Sequence, residues 1–258
     1  MASILDRYGI KEVADVVFYT INEDGTPGNP VLYLDTLKVS TLEQTAETTY
    51  AQGGKGNPRL IGWDFGKEIT LSLEDALFSP KSMAVMFGNG TVDEDVTTVR
   101  KTIMFTGETV PPTWTDAKGN KHKIEKAVIT DEKGEVATPA EGGTYFATFD
   151  VTVTGVAINV GPNTFPGTYY ITGDTYARSE VTGEDDYFQF IVPKGKITSE
   201  NTITMEAEGD PSVFNMTVDV LRGKFGGKDS MMRLVKYDIV DQAQPQAPAE
   251  GEDVGEGE

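Results

Sequence analysis

Apolar and polar residues alternate with a period of two along most of the chain, the signature of strands with one face buried. VADVVFYTI (13–21) and VLYLDTLKV (31–39) flank the turn-forming cluster NEDGTPGNP and predict a first β-hairpin. In KEITLSLE (67–74), Ile69, Leu71 and Leu73 fall on one face, and Glu68, Thr70, Ser72 and Glu74 on the other. SPKSMAVMFG breaks the alternation. Ser79 suits an N-cap, Pro80 the first turn and Gly88 the stop, so a short helix is predicted over 79–87, with Met83, Val85, Met86 and Phe87 as its apolar bulk against a sheet. VTTVRKTIMFTGETV (96–110) returns to strand character. The last third is strand after strand: TYFATFDVTVTGVAINV, GTYYITGDTYARSEV, DYFQFIVPKGKI, NTITMEAEG, VFNMTVDVLRG and MMRLVKYDIV. Strands this short and this regularly punctuated predict an all-β chain, a β-sandwich or barrel with one short flanking helix.

Three stretches depart from the alternation. STLEQTAETTYAQGGKGN (40–57) holds no period and predicts a long loop ending in a glycine hinge at Gly53, Gly54 and Gly56. Residues 111–143, bracketed by Pro111-Pro112 and PAEGG, contain two turn signals, DAKGN and DEKG, and predict an inserted β subregion. QAQPQAPAEGEDVGEGE at the C-terminus has no aromatic and no basic residue, so 241–258 is predicted to be a disordered acidic tail. The expected organisation is one β domain over 1–240, carrying the insert at 111–143, followed by that tail.

Charge and composition narrow the function. The 258-residue chain has a formal net charge of −19, which repels phosphates and disfavours adhesion to nucleic acid or anionic membrane. It has no cysteine and one histidine, His122, set between Lys121 and Lys123 with no nucleophile motif beside it, so thiolate and histidine metal sites are not expected. GGKGN (53–57) lacks the Ser or Thr that a phosphate loop needs after Lys55. The acidic triplets Asp93–Asp95 and Glu184–Asp186 lack the spacing of a calcium loop. No catalytic, cofactor or metal site is expected, and the protein is not expected to be an enzyme. No apolar run reaches membrane-spanning length and no basic leader opens the chain, so synthesis in the cytoplasm is expected.

Several strands share one peculiarity, a face of hydroxyls and carboxylates. Besides 67–74, NTITMEAEG sets Thr204, Glu206 and Glu208 against Ile203, Met205 and Ala207. VFNMTVDV sets Asn215, Thr217 and Asp219 against Met216 and Val218. Half-buried antiparallel strands show water a polar face in any case. The sharper reading is that subunits join their sheet edges and turn these faces into a shared channel. A channel without surplus Lys and Arg does not neutralise phosphates, so nucleic acid passes without adhering.

GNPRLIGWDFGKEITLSLEDALFSPKSMAVMFG, FPGTYYITGDTYARSEVTGEDDYFQFIVPKGKI, and MEAEGDPSVFNMTVDVLRG followed by MMRLVKYDI together resemble the major tail tube proteins of tailed bacteriophages, over about residues 5–240. The resemblance implies a structural virion protein whose β-sandwich or barrel subunits form hexameric rings, stacked into a tube with a continuous inner barrel, a negatively lined conduit for DNA ejection. It implies a long inter-subunit loop after the first hairpin, matching 41–62, with Thr41, Gln44, Tyr50, Gly53, Gly54, Lys55, Asn57 and Arg59 as ring-stacking candidates. It implies a lumen lined by Glu68, Thr70, Ser72, Glu74, Thr204, Glu206 and Glu208. The implied partners are further copies of the chain and other tail proteins: terminator, baseplate or tip, sheath or tape measure. DNA passes without tight binding, no membrane is involved, and the protein ends in the virion tail. The alternative is another virion or surface β protein: a capsid decoration protein, a fibre or a carbohydrate-binding adhesin. GTYYITGDTY (167–176) is the nearest approach to the exposed aromatic row that an adhesin needs.

Overall fold

The computed structural model describes residues 7–88, 91–94, 96–198 and 213–238. The chain divides into two compact units, Met1–Leu77 with Thr168–Glu258, and Phe78–Gly167. In chain order the elements are β1 (Tyr8–Ile10), β2 (Asp15–Ile21), β3 (Pro27–Leu34), β4 (Leu37–Gln52), β5 (Arg59–Asp75), α1 (Pro80–Phe87), β6 (Val96–Thr106), β7 (Thr113–Thr115), β8 (Lys121–Lys123), β9 (Val128–Thr130) and β10 (Thr144–Thr154). They continue as β11 (Thr168–Ser179), β12 (Asp185–Ile197), β13 (Phe214–Val220), β14 (Gly223–Phe225), β15 (Lys228–Ser230) and β16 (Arg233–Tyr237). The all-β expectation with one short helix holds.

The first unit is built on an antiparallel sheet with the strand order β3-β2-β11-β12-β13-β5-β4, to which β1 adds beside β11 and β16 beside β12. Alternate residues point inward: Val16 and Phe18 on β2, Leu32 and Leu34 on β3, Ile171 on β11, Phe190 and Val192 on β12, Met216 and Val218 on β13, and Ile69, Leu71 and Leu73 on β5. Full burial of each such side chain contributes about 1.5–3 kcal/mol. Both ends of the path bury their inner faces, and the Ala14 N–H, just before β2, donates to Ser40 Oγ on β4 at 3.3 Å. The sheet therefore curls over one core as a sandwich.

The run 31–39 is not one strand, contrary to the sequence reading. It breaks at Asp35-Thr36, and Leu37 opens β4 on the far side of the path. Asp75, 3% exposed, fixes that corner by accepting from Thr36 Oγ at 2.5 Å and from the Leu77 N–H at 3.3 Å. The loop expected over 40–57 is also corrected. It is strand as far as Gln52, paired along its length with β5.

Pro193 lies inside the central strand β12, where a missing N–H normally costs a ladder bond. Here the neighbouring chain has left the ladder. β13 ends with Val220 opposite Gly195, and β16 begins with Arg233 opposite Ile191. Between them the chain makes a small hairpin, β14–β15, turning at Gly226 and Gly227. On the other side of Pro193 the β11–β12 register shifts between Tyr169 and Ile171. The proline occupies a gap in pairing on both sides.

The second unit holds α1, the sheet β6-β10-β9 and the hairpin β7–β8. Ser79 caps the helix as its sequence suggests. Its hydroxyl accepts from the Ser82 N–H at 3.0 Å, and Ser82 Oγ accepts from the Ser79 N–H at 2.8 Å. This is a reciprocal capping box with Ser in place of the usual Glu. Ser82, Ala84, Val85 and Met86 are buried, whereas Met83 and Phe87 are half-exposed. β10 pairs with β6 over all eleven residues. Short strands β7 and β8 flank the first expected turn within 111–143, and the second lies between β9 and the single bridge residue Val136. Each tip is an Asp whose carboxylate collects N–H groups of the turn, followed by a glycine at positive φ (Gly119 at +88°, Gly134 at +83°). The strand expected at 201–209 and the tail at 241–258 lie outside the described residues.

Asp116 gives the β7–β8 tip a defined pH response. His122 Nε2 lies 3.0 Å from its carboxylate, which also accepts from the Asn120 N–H, the Asn120 amide and the Lys118 N–H. These bonds, the His122 one foremost, hold the carboxyl well below the usual carboxylate range. A depressed folded pKa contributes stability that is complete above the unfolded value near 4 and is lost as pH falls through the folded value. Trp114, whose ring centroid lies 5.2 Å from that of His122, should report the hairpin loosening only well below pH 4. Asp116→Asn should remove that acid-dependent step from the Trp114 fluorescence titration.

Candidate conduit face and projecting hairpin

The register across β4, β5, β13 and β12 sets the outward residues in rows. Val39, Glu74 and Asn215 form one, Thr41, Ser72 and Thr217 the next, and Glu43, Thr70, Asp219 and Lys196 the third. Thr45 and Glu68 form a fourth. Glu68 and Ser72 are exposed, Thr70 and Glu74 half-buried. The four lumen candidates of β5 therefore stand together on one outward face. Asn215, Thr217 and Asp219 join them, as do Thr41, Glu43 and Thr45, whose strand the sequence reading took for loop. Thr204, Glu206 and Glu208 lie outside the described residues. The face offers hydroxyls and the carboxylates of Glu43, Glu68, Glu74 and Asp219, against Lys196 as its cation in these rows.

Beyond these rows the β4–β5 hairpin projects. β13 pairs with β5 only from Thr70 onward, and among the described residues no other strand accompanies the pair toward its tip. Seven residues, 46–52, at about 3.3 Å each carry the ribbon on the order of 23 Å further. At its root Thr45 opposes Glu68 but Glu47 opposes Phe65, so Gly66 and Lys67 face Ala46 alone. Gly66 has φ +63°, which suits the first position of a glycine bulge. Counting through the bulge, the face of Thr45 and Glu68 continues as Glu47–Phe65, Thr49–Trp63 and Ala51–Ile61. The hydroxyl–carboxylate surface of the sheet thus becomes an apolar stripe on the ribbon. Ile61 is 55% exposed, Trp63 52% and Phe65 52%.

On the opposite face of the ribbon Leu60 is 63% exposed, and the polar groups are satisfied within the ribbon. Thr48 Oγ1 donates to Asp64 at 2.7 Å, and the Arg59 guanidinium lies 4.1 Å from the centre of the Tyr50 ring, which covers Gly62. The tip turns through Gly54 and Gly56, both with φ near +85°, and Asn57 at φ +50°, whose amide donates to Gln52. It carries Lys55 and Arg59 and no acid between 53 and 60. Of the ring-stacking candidates, Tyr50, Gly53, Gly54, Lys55, Asn57 and Arg59 sit in this projecting half. Thr41 and Gln44 sit in the sheet-embedded half, opposite Ser72 and Ile69.

The aromatic run 167–176 does not form an open row. Tyr169 and Tyr170 are each 6% exposed. Tyr176 is exposed and neighbours Tyr187, tilted against it at 5.7 Å, and Tyr187 stacks on Tyr237 at 5.4 Å, so this cluster draws on three strands and not on the 167–176 run alone. Among the described residues no helix is long and apolar enough to cross a membrane.

No curated protein matches the sequence significantly. The model of the YomU/Tube protein family matches residues 8–233, from β1 to the first residue of β16. A match of that extent covers both units and the whole projecting hairpin, and the chain accordingly belongs to the YomU/Tube protein family, a tube-type structural protein consistent with the tail tube of a phage.

Proposed function

We propose that copies of this chain form rings, hexameric by resemblance to phage tail tubes, which stack into a tube that conducts DNA during ejection. The face of Glu43, Glu68, Thr70, Ser72, Glu74 and Asp219 lines the bore, and the β4–β5 hairpin bridges one ring to the next. The observation that carries this reading is the hairpin itself. A ribbon that pairs with no other strand among the described residues and shows three large apolar side chains in line is costly on a solitary protein, and a family of tubes supplies the reason for it. The carboxylate face fits a conduit because its four carboxylates outnumber Lys196 and so disfavour adhesion of DNA phosphates. The other tail proteins expected as partners, a terminator, a baseplate or tip, and a sheath or tape measure, follow from the same reading. Negative-stain microscopy of the purified protein tests it. Stacked rings with a central hole are the expected image; solitary particles at every concentration tried would overturn the proposal.

A further inference from the structure

The charge of the chain is unevenly placed. Within 222–233 lie Arg222, Lys224, Lys228 and Arg233 against one acid, Asp229, on a chain whose net charge is −19. Lys224 and Lys228 sit on the β14–β15 hairpin that leaves the sheet beside Pro193, Arg222 directly precedes it, and Arg233 opens β16 just after it. The Arg222 side chain is 80% exposed and only 3.7 Å from Asp229, and Arg233 stacks on Phe225 at 4.4 Å. Lys194 joins Arg222 and Lys224 along a depression of about 370 Å³, whose other wall includes Glu23 and Asp24. Asp24 is already occupied by the N–H and hydroxyl of Thr26.

Elsewhere in the same unit is a surface of the opposite kind. Asp15 and Asp174 stand directly opposite each other on β2 and β11. Like charges in that position destabilise a sheet. Asp35 adds a third carboxylate, and all three raise the pKa of the Tyr33 phenol, Asp15 most strongly. Asp174 accepts from Gln189 Nε2 at 2.8 Å and from Tyr237 at 3.2 Å, and Tyr33 reaches Asp15 at 3.5 Å. These donors are neutral, and among the described residues no Lys or Arg forms an ion pair with any of the three carboxylates.

We infer that the β14–β15 hairpin of one copy docks on the Asp15–Asp35–Asp174 surface of another copy. Every copy carries both halves in different places, so the contact is head-to-tail and repeats, either closing a ring or extending a stack. It also answers a physical difficulty of the proposed function, on which it rests: bodies of like charge must meet somewhere that their charges attract. The partner is protein carboxylate rather than nucleic acid because the whole chain repels phosphates.

A charge-swap experiment on the full chain tests this. One variant carries Arg222→Glu, Lys224→Glu and Lys228→Glu; the other carries Asp15→Lys and Asp35→Lys. All five side chains are exposed, and circular dichroism checks that both variants fold. Each variant alone should need on the order of 100-fold higher concentration to assemble, since reversed charges meet like charges. An equimolar mixture should return to near the wild-type value, because each reversed patch then meets its complement on the other variant. Either variant assembling alone as wild type does would overturn the inference, as would a mixture no better than its components. Two further results would overturn it by naming another occupant: wild-type binding of a DNA duplex that the triple variant loses, or loss of the swap effect when 241–258 are removed, which would make the acidic C-terminal residues the partner. If wild-type tubes form but the swap has no effect, only this contact fails. If wild-type protein stays solitary, it is the proposed function that fails.

Discussion

Replacing Ile61, Trp63 and Phe65 together by Asp should leave a folded subunit that no longer builds a tube. The three side chains lie on one face of the projecting ribbon, each about half exposed, so they contribute little to the subunit's own core. Exposed substitutions away from caps and cores usually change stability by no more than about 0.5 kcal/mol. Their value in an assembly is another matter. An aromatic side chain buries roughly 150–250 Å² when fully enclosed. Half of that, over three residues, is on the order of 300 Å², or about 7 kcal/mol at 25 cal/mol per Å². Ordering the ribbon and fixing the copies offsets part of this. Even half of it corresponds to a loss of roughly 10²–10³-fold in each contact. Sedimentation velocity should show the triple variant as a monomer at concentrations where wild type sediments as long polymers, with matching far-ultraviolet circular dichroism. Trp63→Ser, which adds no charge, should fall between the two. Polymers at the wild-type threshold in the triple variant would mean that the stripe has another use.

That stripe shows where the sequence was legible and where it was not. Alternation reveals a strand when one face is buried. Ile69, Leu71 and Leu73 announced β5 for that reason, and Ser79 and the two Asp-x-Lys-Gly turns were legible because caps and tight turns are local chemistry. The far half of β4 buries neither face: TAETTYA runs exposed on both sides of the ribbon but for the half-buried Ala51, so no period survives and the segment reads as loop. The cue that remained lay in the partner strand, where IGWDF sets Ile61, Trp63 and Phe65 at every second position. An unpatterned segment rich in Thr, followed by a glycine turn and such a strand, is better read as the second strand of a free ribbon.

The conduit face was legible strand by strand but not as a surface. Glu68, Thr70, Ser72 and Glu74 could be assigned to one side of β5, and Asn215, Thr217 and Asp219 to one side of β13. That these two sides coincide depends on a pairing that spans more than 140 positions, from Glu74 to Asn215. Nothing local encodes it. The break at Asp35-Thr36 escaped for a similar reason. Its cause is Asp75, a buried carboxylate forty residues away whose acceptors hold the corner. The cationic hairpin fell between two stretches that read as ordinary strands, VFNMTVDVLRG and MMRLVKYDIV, and only the gap at Pro193 shows why the chain leaves the sheet there.

Gly173→Ala should destabilise the first unit by about 2–3 kcal/mol, a large effect for one methyl group. Gly173 on β11 faces Phe190 on β12, and a Cβ at that position would lie 2.2 Å from two carbons of the Phe190 ring. The ring rests on the glycine backbone inside the core, 4% exposed. Overpacking of this kind costs about 1–3 kcal/mol or more, and the gain from replacing a strand glycine, roughly 0.5–1 kcal/mol, does not offset a contact this short. Phe190→Ala should cost about 3–5 kcal/mol through the cavity it leaves. The decisive measurement is the double variant. With the ring gone, the added methyl occupies vacated space, so Gly173→Ala/Phe190→Ala should be no less stable than Phe190→Ala alone, a coupling on the order of 2–3 kcal/mol. Urea unfolding followed by circular dichroism gives all four midpoints. The measurements belong on the Trp63→Ser background at low concentration, because assembly would otherwise add concentration-dependent stability to every variant. Strict additivity of the two substitutions would show that the ring does not need a bare glycine beneath it, and the packing of β11 against β12 would then rest on the flanking residues Ile171, Val192 and Ala177 instead.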